Sequence, residues 1–328
     1  MVKENIVHVN YEWQNLELPP EFNTLSNDSR WKAKVDYVCD IIEKNRNGNL
    51  VLDLSAEGKI SVTIARAIIH QLNLKKEEVK LIFSHDITNT DFFSDYNVEI
   101  NYLRNCNWAN FYKKLCAQNI DWQSITLKHY FLSLVNRPSV TRALYTKSLL
   151  EHFKDESLIS FGLTHDAQIK SILEPYKAPI RIDFKAKPSF AQQHDIPNNV
   201  IFESLFNIVH ETNPPESTEI RMTEKTFKAF AWHQIPIFIA NKKVIDILRS
   251  FGFDLFDDIL EHHAYSSNLN LHHIKVMALL KRLTQKYKNL EELQQLRNDL
   301  FFRLSHNNNL LEKLVIENGS NDWICMHR

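Results

Sequence analysis

The chain has 328 residues, 44% of them apolar and 24% charged, with a net charge of -1 when histidine is counted neutral. That balance is ordinary for a globular protein, and it excludes a global field that would draw the molecule onto nucleic acid or an anionic membrane. The four cysteines, Cys39, Cys106, Cys116 and Cys325, form no CxxC pair. A zinc framework is therefore not expected, and the scatter suits a reducing compartment.

The N-terminus, MVKENIVHVNYEW, lacks an apolar signal core. No stretch reaches the ~18 uncharged apolar residues that a spanning helix needs. A cytoplasmic protein without a transmembrane segment is expected, with peripheral membrane contact left open. The length suggests about two domains.

In chain order, Asn49 to Leu54 reads as a strand, followed by a loop from Ser55 to Lys59 that contains Glu57. Ile60, Ile64, Ile68 and Leu72 then share one helical face. Val79 to Phe83 is a second apolar run and ends in Ser84, His85 and Asp86. Strand, helix, strand is the unit of a parallel sheet, and polar residues at such strand ends lie where open sheets place ligands. Leu127 to Val135 reads as a buried strand running into Asn136, Arg137 and Pro138. A helix from Thr141 to Phe153 and a short strand from Leu158 to Phe161 follow.

Four prolines, Pro175, Pro179, Pro188 and Pro197, mark an irregular crossover. The division is placed there, giving an N-terminal domain over 1–185 and a C-terminal one over 186–328. The second half opens with a strand from Val200 to Val209 and continues through the polar loop Pro214 to Glu219. Thr223 is a candidate N-cap for a helix from Glu224 to about His233, ended by Pro236. Ile237 to Ala240 reads as a strand, and Lys242 to Ser250 as a helix closed by Gly252. From Leu271 to about Leu314 the spacing fits two amphipathic helices.

The chemistry concentrates around His210 and Glu211 at a strand end and Thr223, Glu224 and Lys225 at a helix start. A helix N-terminus offers unsatisfied N–H groups and a positive dipole end, which together suit an anion such as a diphosphate. Lys225 adds a mobile positive charge, and Lys228 lies at i,i+3 from it on the same face. Glu224 has the chemistry to accept from two ribose hydroxyls. The alternative is a capped, solvated helix start with a surface pair at the strand end. Arg137 and Arg142 are further cationic candidates. Arg142 stands in a first helical turn, where its charge opposes the dipole and hints at a local anion.

Glu211-Thr212, a loop, Thr223-Glu224-Lys225-Thr226-Phe227-Lys228, Pro236 and a short apolar strand together resemble the donor-binding region of fucosyltransferase-like glycosyltransferases. Related uncharacterised bacterial and viral sequences carry a downstream Gly-Phe-x-x-Phe-Asp-Asp stretch, and Gly252 to Asp258 here reads the same way. The likeness covers roughly residues 201 to 265, with Asn136 to Arg142 as a further matching stretch. The chain departs from the pattern at His233-Gln234-Ile235, where small residues usually precede the proline.

The resemblance implies an α/β fold of GT-B type, with two Rossmann-like domains whose parallel sheets face across a cleft. It implies a nucleotide diphosphate sugar, GDP- or UDP-linked, as donor and a glycan or lipid-linked acceptor. Glu224 would bind the ribose, Lys225 the diphosphate, and Glu211 the donor sugar or its phosphates. Transfer would be inverting and metal-independent, with no cofactor beyond the donor. Inverting transfer needs a base for the acceptor hydroxyl, and Asp86, His85 and then Glu57 are the candidates.

Five glycines without a GxGxxG disfavour a classical NAD enzyme. Asp254, Asp257 and Asp258 do not follow the calcium-loop spacing and read as a solvated turn, so no metal is expected. Two competing readings are a non-catalytic sugar- or nucleotide-binding protein and a glycosyltransferase acting on modified nucleic acid bases. The neutral net charge makes nucleic acid the less expected partner.

Overall fold

Among the described residues, eight strands form two parallel sheets in the computed structural model. The structure describes residues 5–8, 27–45, 50–54, 60–83, 91–100, 120–176, 180, 199–218, 220, 222–262 and 265–319. The chain divides into two compact units, Met1–Cys106 and Asn107–Arg328.

In the first unit, β1 (Asn5–His8), β2 (Leu50–Leu54), β3 (Val79–Phe83) and β4 (Asn97–Ile100) pair in sequence order. Each crossover advances one place in the same direction. Helices α1 (Asn27–Asn45) and α2 (Ile60–Gln71) supply the apolar cover. Val35, Val38, Cys39 and Ile42 of α1 and Ile64, Ala65 and Ile68 of α2 pack with Leu50, Leu52, Leu54, Leu81 and Phe83. Each buried Val, Leu, Ile or Phe among them contributes roughly 1.5–3 kcal/mol. Cys39 is one of these core residues, and burial pushes its thiol up to about 12, with Asp36 and Glu43 adding to the shift. That suits an inert apolar filler.

In the second unit, β5 (His129–Val135), β6 (Ser157–Phe161), β7 (Ser204–His210) and β8 (Ile235–Ile239) pair in the order β6-β5-β7-β8. This differs from the expected division at 185/186. β5 and β6 were read as N-terminal, but β5 pairs with β7 over His129↔Ser204 to Ser133↔Ile208. Hydrogen bonding across the proline-dense stretch thus outweighs that stretch as a boundary signal. The chain leaves β5 toward β6 and later continues on the other side of β5 with β7, so the strand order reverses between them. Right-handed crossovers in both directions require the connecting helices to lie on opposite faces.

Those helices are α3 (Val140–His152) after β5 and α5 (Glu224–Ala231) after β7, with α4 (Ala167–Leu173) following β6. α3 begins where the Ser139 hydroxyl accepts from the Arg142 N–H, and α4 where Asp166 accepts from Ile169. Val135, Phe161, Ala143, Ile169 and Leu173 form the core between α3, α4 and the sheet. β7 starts later than expected because a 3-10 turn occupies Asn199–Glu203. β8 takes in Pro236, which the sequence reading used only to end the preceding helix. A residue without an N–H is tolerated there because β8 is an edge strand.

Helix α6 (Lys242–Ser250) ends as expected at Gly252, whose φ is 90°. The Gly252 and Phe253 N–H groups return to Arg249 and Leu248, closing a Schellman motif. After the short α7 (Asp257–Leu260), the C-terminal part forms three helices, α8 (Leu269–Lys286), α9 (Leu290–Asp299) and α10 (Phe301–Gly319), where two were expected. Asn289 accepts from the Glu292 N–H and starts a new helix where the apolar spacing alone reads as continuous. Among the described residues, no helix is long and apolar enough to cross a membrane.

Candidate functional site

The polar residues singled out in the second half gather at the C-terminal ends of β5 and β7, on either side of the reversal in strand order. Open α/β sheets bind ligands at such a point because the flanking loops diverge and leave a crevice.

Glu211 follows the last residue of β7 and is 3% exposed. Its carboxylate is the hub of the cluster. Oε1 accepts from the Thr223 N–H at 3.0 Å, the Thr226 N–H at 3.2 Å and the Thr226 hydroxyl at 2.6 Å. Oε2 accepts from the Thr223 hydroxyl at 2.8 Å and the Thr212 N–H at 3.0 Å. The α5 N-terminus therefore has an anion next to it, supplied by the chain itself. Thr223 is the N-cap, as expected, and its hydroxyl oxygen also accepts from the Lys225 N–H and Nζ. Thr226 is as important as Thr223 and was not anticipated. Its signal was its position three residues after the cap, where a capping-box partner stands.

Glu224 and Lys225 begin α5 side by side, with Lys225 Nζ 3.1 Å from Glu224 Oε1. Glu224 is buried, and Lys225 is half-buried. Lys228 lies one turn further on, with Nζ 6.0 Å from the Trp232 ring centroid. The two lysines share a face, as their spacing required.

Arg142 is 8% exposed and bridges the two strand ends. It donates to the carbonyl oxygens of Arg137 at 2.6 Å, His210 at 3.1 Å and Glu211 at 2.7 Å. The negative partner inferred from a cation in the first turn of α3 is thus a set of backbone carbonyls. Burial lowers the Arg142 pKa, while Glu211 and then Glu224 favour its charge. The Arg137 side chain is exposed just beyond β5.

His210 was read as half of a surface pair or as a donor contact, but it is only 2% exposed. Its Nε2 lies 2.9 Å from the Ser133 hydroxyl on β5. Burial, with Arg142 and Lys225 nearby, lowers its pKa to about 3. The imidazole is neutral at physiological pH and faces α3 through Tyr145.

Glu57, His85 and Asp86 lie outside the described residues. Asp254, Asp257 and Asp258 are ion-paired rather than merely solvated. Arg303 forks onto Asp254 and Asp258, and Arg249 onto Asp257. Among the described residues, no group of three or more His, Cys, Asp or Glu is arranged to hold a metal ion. A groove of about 730 Å³ lined by Asp121, Ser124, Thr126, Lys128, Phe202 and Glu203 lies at the opposite, N-terminal ends of β5 and β7. It shares no residue with the cluster, and the chemistry favours the cluster as the candidate site.

Comparison with protein-family models, with curated proteins and with solved structures gives no match to this chain.

Proposed function

We propose that the protein is a glycosyltransferase whose 107–328 unit binds a nucleotide diphosphate sugar, GDP- or UDP-linked. One observation carries this reading. Lys225, Glu224, Thr223, Glu211, Arg142 and the Arg137 backbone, which the sequence disperses, meet at the reversal point of a parallel sheet. That is where such sheets take nucleotides.

In this reading Glu224 accepts from the ribose hydroxyls, while Lys225, Arg137 and Lys228 neutralise the diphosphate as it leaves. Glu211 and Arg142 keep their side chains for the protein and fix the backbone that presents those groups. Transfer is inverting and metal-independent, and the acceptor base is sought among Asp86, His85 and Glu57.

The test is a thermal-shift screen over GDP- and UDP-sugars, repeated on Lys225→Ala and Glu224→Ala. A donor at a hundred times its Kd stabilises the native state by about 2.7 kcal/mol. We expect one donor to raise Tm in the wild type and to bind 10- to 100-fold more weakly to both variants. The reading fails if no nucleotide sugar shifts Tm, or if both variants bind as the wild type does. Binding without transfer or donor hydrolysis would instead support a non-catalytic sugar-nucleotide-binding protein.

A further inference from the structure

A column of rings runs inside the 107–328 unit from the candidate site to α8. His210 meets Tyr145 of α3 edge-on, with centroids 6.1 Å apart. Tyr145 meets His272 of α8 at 6.2 Å and His273 at 4.6 Å. Tyr265 continues from His272 at 4.8 Å, and His262 from Tyr265 at 5.0 Å. All of these except His273 are buried. The column is held by neutral hydrogen bonds, Ser133 Oγ to His210 Nε2 at 2.9 Å and Tyr145 OH to His272 Nδ1 at 2.7 Å. Among the described residues, His210 Nδ1, His272 Nε2 and the Tyr265 hydroxyl have no hydrogen-bond partner.

Among the described residues, no carboxylate bonds His210 or His272, whose partners are the neutral hydroxyls of Ser133 and Tyr145, and Glu216 bears on the column only at Tyr145. Among the described residues, Arg142 of α3, which donates to the His210 carbonyl, and Lys225 of α5 both oppose a charge on His210, while the neighbouring Glu211 carboxylate is taken up by Thr212, Thr223 and Thr226. His272 is surrounded by Tyr145 of α3, Tyr265, His262, and His273 and Lys275 of its own helix. Asp257 approaches only the far end, 3.3 Å from His262 Nδ1, and is itself held by Arg249. A buried charge without a partner is among the costliest features a folded protein can carry.

We propose that this column is an acid-operated latch, in which proton uptake at His210 and His272 requires α8 to part from α3 and the end of β7 to loosen. Acid then opens the end of β7 that leads into Glu211 and that Arg142 fastens from α3. The inference stands whether or not the protein transfers sugars. The direction of titration agrees with the geometry. Burial above all lowers His210 to about 3 and His272 to about 4, whereas an opened segment titrates near 6.5. Opening is therefore favoured progressively as pH falls below about 6.5.

The experiment is hydrogen exchange of the full chain from pH 7 to 4.5, corrected for intrinsic exchange, on the wild type and on His210→Gln with His272→Asn. The two substitutions keep a polar atom near each bonded ring nitrogen and remove the titration. The opening constant for α8 and for the β7 end is expected to rise by up to about 100-fold per pH unit in the wild type as two protons are taken up. The double variant should lose most of that slope. Equal slopes in the two proteins would overturn the latch. Should the double variant not fold, imidazole NMR of the wild type decides. Rings that stay neutral until the α8 amides open support the latch, and rings that protonate near 6.5 with α8 still protected refute it.

Discussion

At the scale of single residues, five donors converge on one carboxylate, and three of them are backbone N–H groups of the loop and helix start it organises. Glu211→Ala would leave buried donors at Thr223 and Thr226 with no acceptor. We expect a loss of about 3–5 kcal/mol in urea unfolding, the usual cost of removing one partner from a buried charged cluster. A cost under about 1 kcal/mol would mean that solvent already reaches these groups. The membership of this cluster was legible in the sequence, but its wiring was not. A helix N-terminus attracts negative charge whatever molecule supplies it, and the sequence does not say that Glu211 fills the place. Arg142 makes the same point with the sign reversed. Its charge in a first turn called for a negative partner, and carbonyl oxygens 68 and 69 residues away supply part of it.

At the scale of elements, two glycines at loop ends separate two kinds of constraint. A Cβ on Gly162 would lie 2.3 Å from the Asn136 carbonyl oxygen, which is backbone and cannot step aside cheaply. A Cβ on Gly252 would find Leu310 at 3.6 Å, ordinary contact, so only its φ of 90° resists substitution. Gly252→Ala is thus expected to cost about 1 kcal/mol. Gly162→Ala should cost more, about 1–3 kcal/mol or beyond, because it forces β6 away from the end of β5. Chemical denaturation of both variants checks the order. Periodicity located α2, whereas the Thr223 cap with the Pro236 stop located α5 and the Gly252 close located α6. Periodicity would also have located α1, where Val35, Val38, Cys39 and Ile42 fall at i, i+3, i+4 and i+7. Charges on the other face obscured that stripe. The strand at β8 was only partly legible, since a proline reads as a stop unless one knows that the strand lies at an edge.

At the scale of the whole molecule, the parallel α/β architecture was legible from alternating strand and helix signals, and the division into units was not. Prolines report on local backbone freedom, whereas a unit is defined by which strands share hydrogen bonds. The pH response also belongs to this scale. Burial above all lowers His233 to about 3, with Arg297 adding to the effect, so three buried histidines, His210, His233 and His272, are neutral when folded. The unfolded chain binds protons near 6.5 and the folded one does not. Stability is therefore full above about 6.5 and falls as pH drops toward 4 and 3, by at most about 1.4 kcal/mol per unit for each histidine. Asp258, held low first by hydrogen bonds from Arg303, acts in the same direction at lower pH, since its contribution is lost as the carboxylate protonates. Urea melts followed by tryptophan fluorescence should show the midpoint falling steadily from pH 7 to 4.5, and a flat profile would refute buried neutral imidazoles.

The Arg297 guanidinium is buried in α9 and donates to the carbonyls of Ile125 and Trp122, which lie 172 and 175 residues earlier in the chain. The segment leading into β5 therefore emerges from the ribosome long before the side chain that fastens it. During synthesis it must wait through the making of the whole sheet and α8. Long-range closures of this kind slow folding, because chain entropy is lost before the contact is gained. The consequence is a nascent chain in which the stretch ahead of β5 stays unfastened until α9 has been made.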